Sequence, residues 1–205
     1  MPLTNKKIGV LMGGLSAERK VSLKTGEAVL SALKRREYKA VGIDVDAEVS
    51  LRLRQDGIEL AFIALHGRYG EDGIVQGTLE MLQIPYTGSG VLASALGMDK
   101  IASRKIFLYS GIPVPTFVVI NKGERDRFDP GRLPFGFPCV VKPSREGSSV
   151  GVSIVGRAEE MNSAMEAAFG FGANIIIDKY IRGREVAVGI VDEEALGVIE
   201  IRPKT

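Results

Sequence analysis

Two lysines and a serine-glycine loop are the residues whose types and spacing could do chemistry. In VKPSREGSSVGVSIV, Lys142 closes one apolar run, and Gly147, Ser148, Ser149 and Gly151 follow before a second apolar run resumes. A plain hairpin needs about two to five turn residues, usually with Asn-Gly or Asp-Gly at the tip. This connection is longer and also carries an Arg and a Glu. Its glycines permit close backbone approach, and its serines add hydroxyl donors to the free N–H groups. Such a loop could wrap an anion, or it could be a solvated, mobile hairpin tip. Lys100 lies upstream in a helical stretch. Either lysine alone reads as a solvated surface charge, but together with the loop they supply the cations and the flap that a nucleotide triphosphate requires. In NIIIDKYIRGRE a strand ends in a polar connection. There the backbone of Lys179 to Ile181 could pair with an adenine edge, and Glu185 could reach a ribose; the alternative is a turn at Arg182-Gly183 with ordinary flanking charges.

The elements that must position these residues change character along the chain. KIGVLMGG is a short apolar run ending in two glycines, and Leu23, Gly26, Leu30 and Leu33 fall at helical spacing between Ser22 and Arg36. AVGIDV and LAFIALHG read as further strands, and DGIVQGTLEMLQI as a helix ended by Pro85. This βαβ alternation predicts an open parallel sheet. A helical region, ASALGMDKIASRKIFLYSG, is closed by Gly111 and Pro113. Strands then come in pairs: TFVVI, FPCVVKP with SVGVSIV, a helix from about Arg157 to Phe169, then NIIIDKYI, REVAVGIVD and ALGVIEIRP. That is an antiparallel-rich α+β region. The boundary is placed near residue 95.

Composition narrows the classes. With 205 residues, 45% hydrophobic and 25% charged, the chain reads as a soluble globular protein of one large or two small domains. No segment reaches the ~18 apolar residues of a membrane span, and MPLTNKK leads into a strand, so a cytoplasmic location is expected. The one cysteine, Cys139, lies in an apolar run and is expected to be a buried small hydrophobe. A net charge of +2 is too weak to argue for nucleic acid. Gly88, Gly90 and Ala93 give a G-x-G-x-x-A arrangement, but no carboxylate follows at about 20 residues, where YSGIPVP stands. No G-x-x-x-x-G-K-[ST] occurs either.

GGLSAERKVSL (13 to 23), ALHGRYGEDGIVQGTLEMLQIPYTGSGVLASALGMDK (64 to 100) and VKPSREGSSVGVS (141 to 153), in that order, resemble the signature blocks of the D-alanine:D-alanine ligases, ATP-grasp enzymes of peptidoglycan synthesis. The resemblance runs from about Lys6 to Pro203. It implies a Rossmann-like, pre-ATP-grasp parallel-sheet domain over 1–95 that binds substrate. An α+β ATP-grasp central domain over 96–185 would follow, with 186–205 starting a catalytic lobe that is largely missing. It implies that Glu18 holds the ammonium of the first D-alanine; a first-turn helix acid is the alternative role. His66 would lie near the reacting carboxylate, although spacing alone favours a satisfied loop histidine. Lys100 and Lys142 match phosphate-binding lysines. Ser148 and Ser149 match loop serines, the first linking the loop to the substrate site. Lys179 and Ile181 match adenine-edge positions, and Glu185 the ribose carboxylate. Asp178 stands where many relatives have Glu, which puts its reach to the adenine amino group in question.

The implied reaction is ATP-dependent joining of two D-alanines through an acyl phosphate, with the loop as a lid that excludes water. ATP and magnesium are the implied cofactors and D-alanine the small-molecule partner; a homodimer is expected, with no nucleic acid and no membrane. Family members continue for roughly half as much sequence again, and the metal ligands are expected beyond Thr205. Asp192, Glu193 and Glu194 read as an exposed hairpin turn, and no metal ligand is assigned within the chain. The chain is therefore expected to be an incomplete part of the enzyme. A D-alanine:D-lactate ligase and a non-catalytic nucleotide-binding fragment are the alternatives.

Overall fold

The computed structural model describes residues 3–202. Its first half alternates strand and helix: β1 (Lys7–Met12), α1 (Arg19–Arg35), β2 (Lys39–Asp44), α2 (Val49–Gln55), β3 (Leu60–Ile63) and α3 (Ile74–Met81). The three strands form a parallel sheet in the order β2-β1-β3, with Ile8 opposite Ala40 on one side and Leu60 on the other. β1 is an apolar run because it is covered on both faces. Val10, Met12 and Ala64 pack under Leu23, Leu30 and Leu33 of α1, whereas Leu11 and Ile43 meet Leu53 of α2 and Val75 and Leu79 of α3. Gly26 lets α1 lie tightly on the sheet, since a Cβ there would collide with Met12.

Two helices, α4 (Val91–Met98) and α5 (Lys100–Tyr109), lead into an antiparallel sheet of β4 (Phe117–Asn121), β5 (Cys139–Pro143), β6 (Ser153–Val155) and β7 (Asn174–Lys179). Its order is β4-β7-β5-β6. α6 (Met161–Phe169) covers one face: Met161, Met165 and Ala168 pack with Cys139, Val141, Val155, Ile175 and Ile177. Strand alternation then turns Val140, Lys142, Ile176 and Asp178 to the opposite face. Lys142 pairs with Ile176, and Val140 with Asp178, so the lysine and the aspartate are diagonal neighbours across two strands. β8 (Glu185–Val191) and β9 (Glu194–Ile201) form a separate antiparallel ribbon, exposed on both faces apart from the half-buried Glu200.

Four details differ from the sequence reading. The helical region after Gly88 is two helices, because Asp99 adopts an extended backbone (φ −95°, ψ 99°) and caps α5 by accepting from the N–H groups of Ile101 and Ala102. β3 stops at Ile63, leaving Leu65, His66 and Gly67 as a loop. β6 is only three residues long, since Val150 and Val152 donate back into the loop, to Gly147 and Ser149. α2 was not foreseen. VSLRLRQ alternates like a strand, but its buried residues Val49 and Leu53 are one helical turn apart.

Candidate functional site

The open face of the central sheet collects charge. Lys142 Nζ lies 2.6 Å from Asp178 Oδ2. From α5, Arg104 forks the same carboxylate, with Nη1 on Oδ1 and Nη2 on Oδ2 at 2.7 Å. The aspartate side chain is 5% exposed, so this carboxylate is held wholly by its two cations. Lys100, the first residue of α5, stands one turn before Arg104 and donates its ammonium to the Glu146 carbonyl, while its N–H donates to Ser144 O at 2.9 Å. Burial pushes the Lys100 ammonium below its ordinary pKa, and the neighbouring Lys142 charge adds to this. Lys100, Arg104 and Lys142 gather around the one buried carboxylate of Asp178, with Glu146 and Asp99 also acting on Lys100, and a row of cations on one floor suits a polyanion.

The loop between β5 and β6 leaves this floor and reaches the mouth of the parallel sheet. Ser148 and Ser149 both have positive φ, 48° and 60°, and Gly151 follows at 67°. Left-handed backbone at two successive serines is strained and is kept only where contacts determine it. The contact is visible: Ser148 Oγ donates to Glu18 Oε1, across 130 residues of sequence. Glu18 caps the start of α1 without any side-chain cap bond, and among the described residues no cation lies within ion-pair distance of it. Its other oxygen faces Gly67 so closely that a Cβ there would overlap it, and a Cβ on Gly147 would lie 3.7 Å away. Glu18 is thus wedged between the loop after β3 and the β5–β6 loop. His66 adjoins it, with Nε2 at 3.2 Å from Thr25 Oγ1 and its carbonyl accepting from Ser16 Oγ at 2.8 Å. Arg19 stiffens the same turn through a bidentate pair with Asp44 and a bond to Gly14 O, and its hydrogen bonds hold the Asp44 carboxyl below the usual range.

At the far end of the floor, the Lys179 N–H is taken by Thr116 O at 2.9 Å and the Tyr180 N–H by Pro138 O at 3.3 Å. Among the described residues no acceptor meets the Ile181 N–H, which is exposed beside the end of β7. Glu185 opens β8, exposed. The structure therefore brings Lys100, Lys142 and Asp178 into one cluster and joins Ser148 to Glu18 beside His66, while the side chains of Ser149, Lys179, Ile181 and Glu185 make no hydrogen bond or ion pair among the described residues. Sequence reasoning missed Arg104, Asp99 and Arg145. Arg145 Nε pairs with Asp99 Oδ2 at 2.9 Å and ties the root of the loop to the α4–α5 joint. The signal for Arg104 was its i, i+4 relation to Lys100.

A cavity of about 570 Å³ runs under the loop root between Arg68, Asp99, Arg145 and Phe171, and another of about 340 Å³ lies beside Gly13, Gly14 and His66. Neither includes Lys142 or Asp178, and the chemistry favours the open floor over the larger cavity. Among the described residues no group of three or more His, Cys, Asp or Glu is placed to hold a metal ion. No helix among them is long and apolar enough to cross a membrane.

A parallel αβ unit that feeds an antiparallel sheet with a cationic floor and an overhanging glycine-serine loop is the front part of an ATP-grasp architecture. Two family models match it, D-ala D-ala ligase N-terminus over residues 49–89 and D-ala D-ala ligase C-terminus over 106–205. The chain belongs to the D-alanine–D-alanine ligase family. It is 55% identical over 201 residues to the D-alanine–D-alanine ligase of Geobacter sulfurreducens, and 54% identical over 202 residues to that of Trichlorobacter lovleyi. Each match covers 98% of this chain but 63% and 64% of the relatives, so the chain spans less than two thirds of their length. Among solved structures, the Bacillus anthracis ligase matches with a TM-score of 0.87 at 43% identity, covering 96% of this chain and 64% of that one. A D-alanine–D-alanine ligase from Bacillus anthracis complexed with ATP matches with a TM-score of 0.82 at 40% identity, covering 97% of this chain and 67% of that one.

Proposed function

We propose that this chain forms the ATP-binding and first-substrate-binding part of an enzyme that joins two D-alanines to D-alanyl-D-alanine for peptidoglycan synthesis. The observation that carries the reading is the contact of Ser148 with Glu18. It draws the loop from the cationic floor to an unpaired carboxylate, and so links an anion site to an ammonium site. In this reading Lys100 and Lys142 bind the phosphates, and the N–H groups of Ser149 and its neighbours close over them. Lys179 and Ile181 offer backbone groups to the adenine, and Glu185 accepts from the ribose hydroxyls. Glu18 holds the ammonium of the first D-alanine by a charge-assisted bond, with His66 near its carboxylate. Residues 1–95 serve as the substrate domain, 96–185 as the nucleotide domain and 186–205 as the start of the catalytic lobe.

Chemistry follows from charge. A carboxylate oxygen of the first D-alanine forms a bond to the γ-phosphorus as the bond to the bridging oxygen breaks, which gives an acyl phosphate and ADP. The amine of the second D-alanine then bonds to the acyl carbon, loses a proton, and phosphate leaves. Negative charge develops in both steps, and fixed cations stabilise it best where water is excluded. Magnesium would screen the phosphates from ligands outside the described residues. A cytoplasmic homodimer is part of the same reading. The test is D-alanine-dependent release of phosphate from Mg-ATP, with dipeptide detected by mass, using protein expressed from its whole reading frame. Equal amounts of phosphate and dipeptide are expected; ATP hydrolysis without dipeptide, or no turnover, would overturn it.

A further inference from the structure

Asp178 has one more cation than a single carboxylate needs. Arg104 meets both of its oxygens, and Lys142 lies against Oδ2. The guanidinium is itself fixed, since its Cζ lies 4.8 Å over the Phe117 ring and its side chain is 11% exposed. Lys142, at 22% exposed, is the looser of the two. For Lys142 to reach a phosphate, its ammonium must leave Oδ2. A buried carboxylate that lost its only partner would be left uncompensated, at a cost large enough to prevent the move. A carboxylate that keeps a forked guanidinium is not left so.

We infer that Arg104 is a positioning residue for nucleotide binding: it is the permanent counter-ion of Asp178, and it frees Lys142 to exchange that carboxylate for a phosphate oxygen. The inference rests on the nucleotide reading above. It also gives Asp178 a defined part. With Oδ2 shared by two cations and Oδ1 occupied by Arg104, the aspartate sets the resting place of Lys142, and Arg104 decides how firmly the lysine stays there. Lysine at position 104 would supply charge but not the fork.

The test uses Arg104→Met, which keeps the stem over Phe117, together with Arg104→Lys, Asp178→Asn, the double variant Arg104→Met/Asp178→Asn, and Lys142→Ala as the reference for nucleotide use. Without nucleotide, competitive labelling by limiting acetic anhydride is read at Lys142 by peptide mass. Arg104→Met should slow labelling of Lys142 about threefold or more, because Asp178 then has no other cation, and adding Asp178→Asn should reverse this. In turnover assays, Arg104→Met should raise the ATP concentration for half-saturation about tenfold, with a smaller change in kcat; the double variant should recover most of that loss and Arg104→Lys should fall between. A merely structural role would lower the melting temperature of Arg104→Met with no change in labelling and no reversal by the second substitution; that pattern overturns the inference. A wild type that does not respond to ATP, or a Lys142→Ala protein indistinguishable from it, overturns the nucleotide reading instead, and the labelling arm still decides whether Arg104 controls Lys142.

Discussion

Two carboxylates, Glu18 and Asp178, sit at opposite ends of the same loop and are built in opposite ways. Glu18 stands at the mouth of the parallel sheet, half-buried, touched by a serine hydroxyl and given room by two glycines. Asp178 lies in the middle of the antiparallel sheet, buried, with its oxygens taken by Arg104 and Lys142. An unpaired carboxylate is an offer to a cation from outside. A paired one arranges cations that can then face an anion. The first needs space, so its surroundings are Gly67 and Gly147; the second needs shielding, so its surroundings are strands and a helix.

The comparison breaks first if the cations do not work as a group. Lys142→Ala should lower turnover by about 10²-fold or more, since a charged contact is lost where charge develops. A change below about threefold would make Lys142 an ordinary surface lysine. Glu18→Gln should weaken D-alanine by about 1.5 to 3 kcal/mol while leaving ATP half-saturation nearly unchanged, as read from separate titrations of the two substrates. Equal weakening of both would show that Glu18 only shapes the start of α1. Gly67→Ala should cost about 1 to 2 kcal/mol of stability, because its φ of 67° disfavours a side chain, and it should also displace Glu18. A melt combined with D-alanine titration checks this; an unchanged D-alanine response would separate Gly67 from the Glu18 site.

The smallest effect sharpens the comparison at the joint between the two ends. Burial alone would raise the Asp99 pKa, but the N–H groups of Ala102 and Ile101 and the Arg145 guanidinium outweigh it and hold the carboxyl below the usual range. Its stabilising contribution is therefore full above the unfolded carboxyl pKa of about 3.9 and is lost as pH falls through the lower folded value. Asp99→Ala should cost about 1 kcal/mol near neutral pH. The gap in melting temperature between variant and wild type should close on acidification through that window. A gap that stayed constant would assign the loss to helix propensity rather than to the charge.

The loop, its two lysines and the strands around them were legible because each is a local pattern: an apolar run that ends in Lys142, then serines and glycines. The partners were not. Arg104 finds Asp178 across 74 residues, and Ser148 finds Glu18 across 130. K-I-A-S-R sets its arginine one turn after Lys100, which puts the two on one helix face but does not say that the arginine will be drawn inside, since a basic helix turn ordinarily faces water. The resemblance to the ligase family carried Glu18, which no local pattern separated from a helix-start acid. α2 was hidden by alternation that imitates a strand, while the break at Asp99 was readable in principle from an aspartate placed directly before a helical run.

Cys139 turns the central sheet into its own chemical clock. It is the only thiol in the chain, it is fully buried between β6 and β7, and burial pushes its thiol pKa up, so the native protein should resist alkylation. Modification then has to wait for β5 to open, and its rate measures how often that strand, which also carries Lys142, comes apart. A substitution that weakens nucleotide response but leaves the alkylation rate of Cys139 unchanged has altered a contact; one that accelerates it has loosened the sheet beneath the contact.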